Sequence, residues 1–229
     1  MSDEHSPPTG YVVPRSEVTG IWAERRRLAS AMRDVVEHLV TSEAPESELS
    51  AAADALERYA ERLRTHPARS SWEGFFREAA NAGDVSEFFD FSPLMGLSNP
   101  IAPPMELWVD GDRVRGRSVF GTAYEGPPGH VHGGYVAAAF DELLGYAQSL
   151  TGSPGMTGRL VVHYRRPTPL HTELRFEGFV RRTDGRKIFT EGRLYSGEVL
   201  CAESEGLFIR VPADRMIHLA KEHEADPTR

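Results

Sequence analysis

Two apolar stripes with helical spacing occupy the N-terminal part of the chain. Apolar side chains recur at intervals of three, four or seven residues over residues 21–39, and again over residues 49–63. This periodicity predicts two amphipathic helices. They are joined by a turn at residues 42–45 and end at His66-Pro67, because proline cannot continue a helix. The prediction is an antiparallel helical hairpin, followed by a short third helix near residues 72–76.

The hydrophobic pattern changes near residue 105 to the alternation that is typical of β-strands. Prolines interrupt residues 89–104, which predicts a linker before the change. One helical pattern remains, over residues 134–150, and it separates two predicted strands from four later ones. This order predicts an α+β fold in which one long helix packs on an antiparallel sheet. The predicted strands cover residues 105–109, 113–120, 160–165, 174–180, 188–196 and 199–211.

These patterns divide the 229-residue chain into an N-terminal extension and one sheet-containing domain. A chain of this length accommodates one ordinary domain and a substantial extension. The predicted divisions are a disordered lead-in at residues 1–15, a helical extension at 16–85, a linker at 86–104, the sheet domain at 105–212 and a tail at 213–229.

Composition then narrows the possible partners and compartments. The chain has 26 Lys and Arg residues against 34 Asp and Glu residues, a net charge of -8, which argues against nucleic acid or an anionic membrane as the main partner. Its single cysteine, Cys201, excludes an internal disulfide and a cysteine-rich metal site. Residues 1–14 are polar and resemble neither a signal peptide nor a bilayer span, so a cytoplasmic location is expected.

The predicted helix carries an acid on an unusual surface. At 100° per residue, Asp141 lies nearly opposite the apolar stripe. Small side chains around a carboxylate leave room for a ligand along the helix, although a plain surface residue or a helix contact is the alternative. Glu142, on the helix flank, is interpreted as a surface residue. The predicted neighbours of Asp141 are Gly134, Ala137, Ala138, Gly145 and Gln148.

The segment before this helix adds hydrogen-bond donors. Residues 129–134 read Gly-His-Val-His-Gly-Gly and bring two glycines to the helix start. Glycine allows a ligand to approach the backbone closely, and the first N–H groups of a helix lack intrahelical acceptors. Such donors can stabilise an oxyanion. Together with a carboxylate two turns along the helix, they suit the attack of water on an acyl carbonyl.

The motif His132-Gly133-Gly134, with Asp141 nine residues after the histidine, resembles the His-Gly-Gly motif of the hotdog-fold thioesterases, most closely the PaaI-like acyl-CoA thioesterase branch. The resemblance covers about residues 89–211. It implies a hotdog fold, in which an antiparallel sheet wraps a long helix, and a homo-oligomer that is a dimer or a tetramer. Further matches are the runs Met156-Thr157-Gly158, Tyr164-Arg165-Arg166-Pro167 and Gly185-Arg186-Lys187 and the final strand.

The resemblance also implies roles for individual residues. Asp141 matches the catalytic carboxylate, acting as general base or as nucleophile, and Gly134 matches the backbone donor that polarises the thioester carbonyl. His132 matches the motif histidine, whose imidazole is implied to hold the loop and to contact the thioester region. Thr157 matches a position where this branch often has a hydroxyl that orients the water, contributed across a dimer interface.

Basic residues near strand ends are candidates for binding the phosphates of coenzyme A, since arginine and lysine bind phosphate oxygens. The alternative is that they only cap strand ends. No metal or cofactor is expected, because His130 and His132 lack a third ligand. The predicted substrate-binding residues are Gly133, Arg165, Arg166, Arg186 and Lys187.

The predicted function is hydrolysis of an acyl-CoA thioester to the free acid and coenzyme A. One alternative is a non-catalytic acyl-CoA-binding or regulatory module, which the N-terminal helices leave open. A hotdog hydratase is a second alternative, but its chemistry uses a histidine paired with an acid, and the predicted helix contains no histidine. Acyl-chain preference and the role of the N-terminal helices stay open.

Overall fold

The computed structural model describes residues 19–67, 90–152 and 155–211. The predicted lead-in, the short third helix near residues 72–76 and the tail at 213–229 lie outside these residues. Within them, the strands and helices follow the predicted order of two helices, two strands, one helix and four strands.

The six strands form one antiparallel sheet in the order β1-β2-β4-β5-β6-β3. β3 follows the long helix in sequence and forms one edge of the sheet, where it pairs only with β6. The predicted fold class is therefore confirmed. The strands are β1 Glu106–Asp110, β2 Arg113–Ser118, β3 Gly155–Tyr164, β4 Leu174–Asp184, β5 Lys187–Ser196 and β6 Val199–Arg210.

The long helix of this domain, Gly133–Ser149, packs against the sheet and supplies much of the core. Gly178 and Gly192 let it approach closely, because a Cβ at either position would press on Leu143 or Phe140. The long helix held by the antiparallel sheet is the hotdog arrangement that the resemblance implied. Its buried residues are Val136, Ala139, Phe140, Leu143, Leu144, Tyr146, Ala147 and Gln148.

β3 begins five residues earlier than predicted. The added segment contains Gly155 and Gly158, and glycine is depleted in strands, so the hydrophobic pattern did not reveal it. The register of β3 against β6 shifts between Thr157 and Arg159, which makes Gly158 the extra residue of a β-bulge. Bulges redirect neighbouring side chains, and this one lies beside Thr157.

The N-terminal helices α1 (Gly20–Leu39) and α2 (Glu46–Arg64) occupy the predicted positions. Their apolar stripes remain exposed: Ile21 is 62% exposed and Leu56 is 49% exposed. α1 contacts the segment before the sheet through Arg26, which bonds to the buried Asp90 at 2.9 Å, and through the ring of Trp22, which packs on Phe91. The helix of the sheet domain is called α3 below.

Candidate active site

α3 begins with an N-cap formed by the motif histidine. The backbone of His132 is extended, and its Nδ1 accepts a hydrogen bond from the N–H of Gly134 at 3.0 Å. An N-cap side chain satisfies a donor that has no intrahelical acceptor. Because Nδ1 acts as the acceptor, the ring proton is on Nε2. The histidine thus orders the start of the helix.

The contact to His132 changes the expectation for the two glycines. The N–H of Gly134, the expected carbonyl donor, already donates to the imidazole. Within the described residues, the N–H of Gly133 donates to no acceptor. The carbonyl oxygen of Gly133 accepts a bond from the Tyr164 hydroxyl at 2.7 Å. This second contact holds the Gly133–Gly134 peptide from the β3 side, and the Gly133 N–H, which belongs to the preceding peptide, is the available donor.

Asp141 and Thr157 meet in the structure. The Thr157 hydroxyl donates to Oδ1 of Asp141 at 2.9 Å, and both side chains are exposed. The contact is made within one chain, whereas the resemblance implied a hydroxyl contributed across a dimer interface. The bulge at Gly158 explains how the start of an edge strand brings its hydroxyl to the helix. Thr157 therefore fixes one carboxylate oxygen of Asp141.

The surroundings of Asp141 differ from the prediction at two positions. Gln148 is buried, not exposed, because its amide bonds to the N–H of Gly155 at 2.8 Å and so ties α3 to β3. Glu142 is partly buried and accepts a bond from the Ser92 hydroxyl at 2.6 Å. Burial raises the pKa of Glu142, the Ser92 bond opposes this rise, and the adjacent charge of Asp141 adds to it. Glu142 anchors residues 90–99, so its interpretation as a surface residue is wrong.

The four candidate basic residues do not form one cluster in a single chain. Arg165 lies beside Cys201 near one end of β6, whereas Lys187 pairs with Ile209 near the other end. Eight residues of strand separate these positions by roughly 26 Å. Arg165 pairs with Glu203 at 2.9 Å, and Arg186 donates to the carbonyl of Arg210. The first pair of basic residues lies near the start of α3 and the second near the start of β3.

No group of three or more histidine, cysteine or acidic side chains is arranged to hold a metal ion in the part of the chain that the structure describes. None of the helices in the described ranges is long and apolar enough to cross a bilayer.

Sequence reasoning missed two residues that hold the helix start. Tyr164 was noticed only as part of a matching run, and its bond to Gly133 depends on the end of β3 reaching the helix start. Glu37 lies between the apolar positions of the first helical stripe, and its carboxylate accepts bonds from the backbone N–H groups of Thr122 and Ala123. Neither contact has a local signal, because each joins residues that are more than 30 positions apart.

Comparison with known proteins places this geometry in context. The thioesterase superfamily profile matches residues 128–202. A crystal structure of a thioesterase superfamily protein is 35% identical in sequence, with a TM-score of 0.69; the match covers 81% of this chain and 94% of that protein. The structural match therefore includes much of the N-terminal extension as well as the sheet domain.

Two curated relatives carry a named activity. The chain is 34% identical over 93 residues to the acyl-coenzyme A thioesterase THEM4 of Xenopus laevis, and 33% identical over 113 residues to that of Bos taurus. These matches cover 40% and 48% of this chain. The chain spans 42% and 46% of the length of those relatives, less than half in each case.

Proposed function

The chain belongs to the thioesterase superfamily, and from that premise we propose that it hydrolyses an acyl-CoA thioester to the free acid and coenzyme A. The proposal rests on the hydrogen bond of the Thr157 hydroxyl to Asp141 on the exposed face of α3. A carboxylate held by one hydroxyl and bordered by glycine and alanine offers its second oxygen to a water or an acyl group. The THEM4 relatives, named acyl-coenzyme A thioesterases, support coenzyme A as the leaving group.

In the proposed reaction, Asp141 acts as the base or nucleophile. As a base it takes a proton from water while the water oxygen attacks the thioester carbonyl, and the C–S bond then breaks to release the coenzyme A thiolate, which takes up that proton. As a nucleophile its oxygen attacks directly, the C–S bond breaks to release the thiolate, and water then hydrolyses the acyl anhydride and supplies the proton for the thiolate. Either route places negative charge on the carbonyl oxygen. General-base assistance contributes about 10²- to 10⁴-fold in rate, and one oxyanion donor contributes about 3 kcal/mol.

We propose Gly133, in place of Gly134, as the backbone donor to the oxyanion. Its N–H is available at the positive end of α3, whereas the Gly134 N–H is engaged by His132. Tyr164 supports this role by fixing the carbonyl side of the Gly133 residue. In this assignment His132 and Tyr164 orient the donor, and neither contacts the thioester.

The distance between the donor and the carboxylate supports a homodimer. Gly133 and Asp141 are eight residues apart on one helix, which corresponds to about 12 Å along its axis. Catalytic hydrogen bonds are about 2.6–3.2 Å long, so one thioester with its water does not readily bridge both groups. We propose that a second copy, paired through the exposed edge of β3, supplies the donor opposite each Asp141, since a two-fold contact places the same surface twice.

The same pairing explains how separated basic residues can serve one ligand. Antiparallel pairing at β3 places the end of one strand beside the start of its partner. Arg165 and Arg166 of one chain then approach Arg186 and Lys187 of the other, and we propose that these residues bind the phosphates of coenzyme A. Arginine and lysine are the side chains that proteins use most for phosphate groups.

Turnover of a panel of acyl-CoAs tests the activity, with the released thiol measured by colour. Asp141→Asn is expected to lower kcat by about 10²- to 10⁴-fold while still binding a thioether analogue of the substrate. Glu142→Gln is the matched control, since it neutralises the adjacent acid on the same helix and should keep kcat near the native value. Binding of the analogue without turnover by the native protein would favour the alternative of a non-catalytic acyl-CoA-binding module.

A further inference from the structure

α1 contacts the loop before α3 through the carboxylate of Glu37. Glu37 accepts hydrogen bonds from the backbone N–H groups of Thr122 at 2.7 Å and Ala123 at 3.1 Å. These groups begin the 3₁₀ turn Thr122–Tyr124, whose first donors have no acceptor inside the turn. Glu37 therefore caps a turn that lies 85 residues away in sequence. Gly121 belongs to the same contact, because a Cβ there would collide with the carboxylate.

The capped turn leads directly to the motif histidine. The carbonyl oxygen of Tyr124, the last residue of the turn, accepts the backbone N–H of His132 at 2.9 Å. Its ring also packs edge-on against Tyr135 in the first turn of α3, with centroids 4.9 Å apart. The turn thus touches the backbone just before Gly133 and a side chain just after it. A shift of the turn displaces the start of α3.

A second residue, His171, holds the same turn and lies beside Glu37, with its Nε2 4.0 Å from Oε1 of the carboxylate. His171 has a left-handed backbone, with φ at 52°, which is uncommon for a residue with a side chain. Its N–H donates to the carbonyl of Phe120 at 2.9 Å, and its Nε2 lies 2.9 Å from the Thr122 hydroxyl. The turn is thereby fixed between α1 and the loop before β4. Such local strain persists only where surrounding contacts enforce it.

α1 itself is firmly attached, so Glu37 is a fixed group. Arg26 pairs with the buried carboxylate of Asp90, and Arg33 donates to the carbonyl of Asn99 at 2.9 Å. Burial acts to raise the pKa of Glu37, but the two backbone bonds and the Thr122 hydroxyl outweigh it, and the pKa is lowered. The carboxylate is therefore charged at neutral pH, and hydrogen bonds to a charged acceptor are the stronger kind.

We propose that Glu37, in the N-terminal helix, is a positioning residue for the active site, and this rests on the proposed thioesterase function. It acts through the turn Thr122–Tyr124 on the backbone of His132, and so sets the direction of the Gly133 N–H. The N-terminal extension is then part of the catalytic unit. A displacement of about 1 Å at a reacting centre can lower a rate about 10²-fold, so a modest relaxation of the turn suffices to affect turnover.

The experiment compares the full chain with Glu37→Gln and Glu37→Ala. The glutamine keeps one acceptor oxygen and the alanine keeps none, so kcat should fall from native to Gln to Ala, by about tenfold or more for Ala. KM should stay within about twofold, because the substrate-binding groups are unchanged. Glu24→Gln is the control, since Glu24 lies on the same helix and pairs with Arg27 at the surface. Circular dichroism establishes that each variant is folded.

Amide hydrogen exchange over residues 130–136 separates this inference from the proposed function. Faster exchange there in Glu37→Ala, together with the loss of kcat, supports the inference. Native kcat in Glu37→Ala overturns it, and so does a loss of kcat that matches a loss of folded protein. If the native chain hydrolyses no acyl-CoA, the proposed function fails by itself. In that case amide hydrogen exchange alone tests the role of Glu37. Faster exchange over residues 130–136 in Glu37→Ala supports the positioning of the helix start, and unchanged exchange overturns it.

Discussion

The hydroxyl of Thr157 donates to Oδ1 of Asp141 at 2.9 Å, which joins the start of an edge strand to the middle of the long helix. This bond sets the orientation of the carboxylate, because Asp141 is otherwise exposed and surrounded by small residues. The pair is therefore the part of the candidate site whose geometry is most directly defined within one chain.

Thr157→Val should lower kcat about tenfold or more, because a hydrogen bond to a charged group is worth about 1.5–3 kcal/mol. The valine has nearly the same shape, so the strand should keep its structure. Thr157→Ser retains the hydroxyl and should keep most of the activity. Steady-state kinetics with one acyl-CoA measures kcat for the three proteins. Equal kcat for the valine variant and the native protein contradicts a role for the bond.

The capping role of His132 gives a second prediction. His132→Ala should lower the free energy of unfolding by about 1 kcal/mol, the usual cost of losing an N-cap, and should also reduce kcat. His132→Asn supplies a different cap acceptor and should restore both. Denaturant unfolding and kinetics measure the two effects, with His130→Ala as a control in the same loop. Restored stability without restored kcat would show that the imidazole itself acts on the substrate.

Local patterns were sufficient to predict α1, α2 and α3, most of the strands and the helix face that carries Asp141. They failed where a contact between distant segments decides the outcome. The hydrophobic pattern did not predict the start of β3. Gly155 and Gly158 interrupt the alternation there, and the segment is defined by its pairing with the distant strand β6. The choice between Gly133 and Gly134 depends on the orientation of one imidazole, which a linear motif does not specify.

The N-terminal helices show a further limit of the hydrophobic pattern. An apolar stripe indicates the face that a helix is expected to bury, yet α1 keeps its stripe exposed and docks through Arg26, Arg33 and Glu37. Polar docking of this kind needs partners placed by the tertiary fold, here Asp90 and the turn at residues 122–124. Glu142 follows the same rule, because its carboxylate accepts a bond from Ser92, which lies 50 residues away in sequence.

The proposed dimer predicts complementation between two inactive variants. Asp141→Asn removes the carboxylate, and Gly133→Pro removes the donor N–H at the first helical position, where proline is tolerated. If each site combines Asp141 of one chain with Gly133 of the other, a mixed dimer of the two variants contains one intact site. Random mixing then restores about a quarter of native activity, since half of the dimers are mixed and each has one of two sites.

Co-expression with two different affinity tags isolates the mixed dimer for the assay, and the separately purified variants serve as controls. Activity of the mixed species well above that of either parent supports a shared site. Activity no higher than the sum of the two parents contradicts it, and a monomer in solution by light scattering contradicts the dimer itself.

Glu142 predicts a pH dependence of stability. Its pKa is raised above the ordinary 4.5 by burial first and by the charge of Asp141 as well, against the opposing Ser92 bond. The folded state therefore binds this proton more tightly than the unfolded state, so stability should decrease as pH rises from 4.5 through the raised pKa.

Glu142→Gln removes the charge and keeps an acceptor for Ser92. The variant should melt at a higher temperature than the native protein at pH 7, and this difference should shrink as the pH falls towards 4.5. Thermal unfolding at several pH values measures it, and a difference that is constant over this range contradicts the prediction.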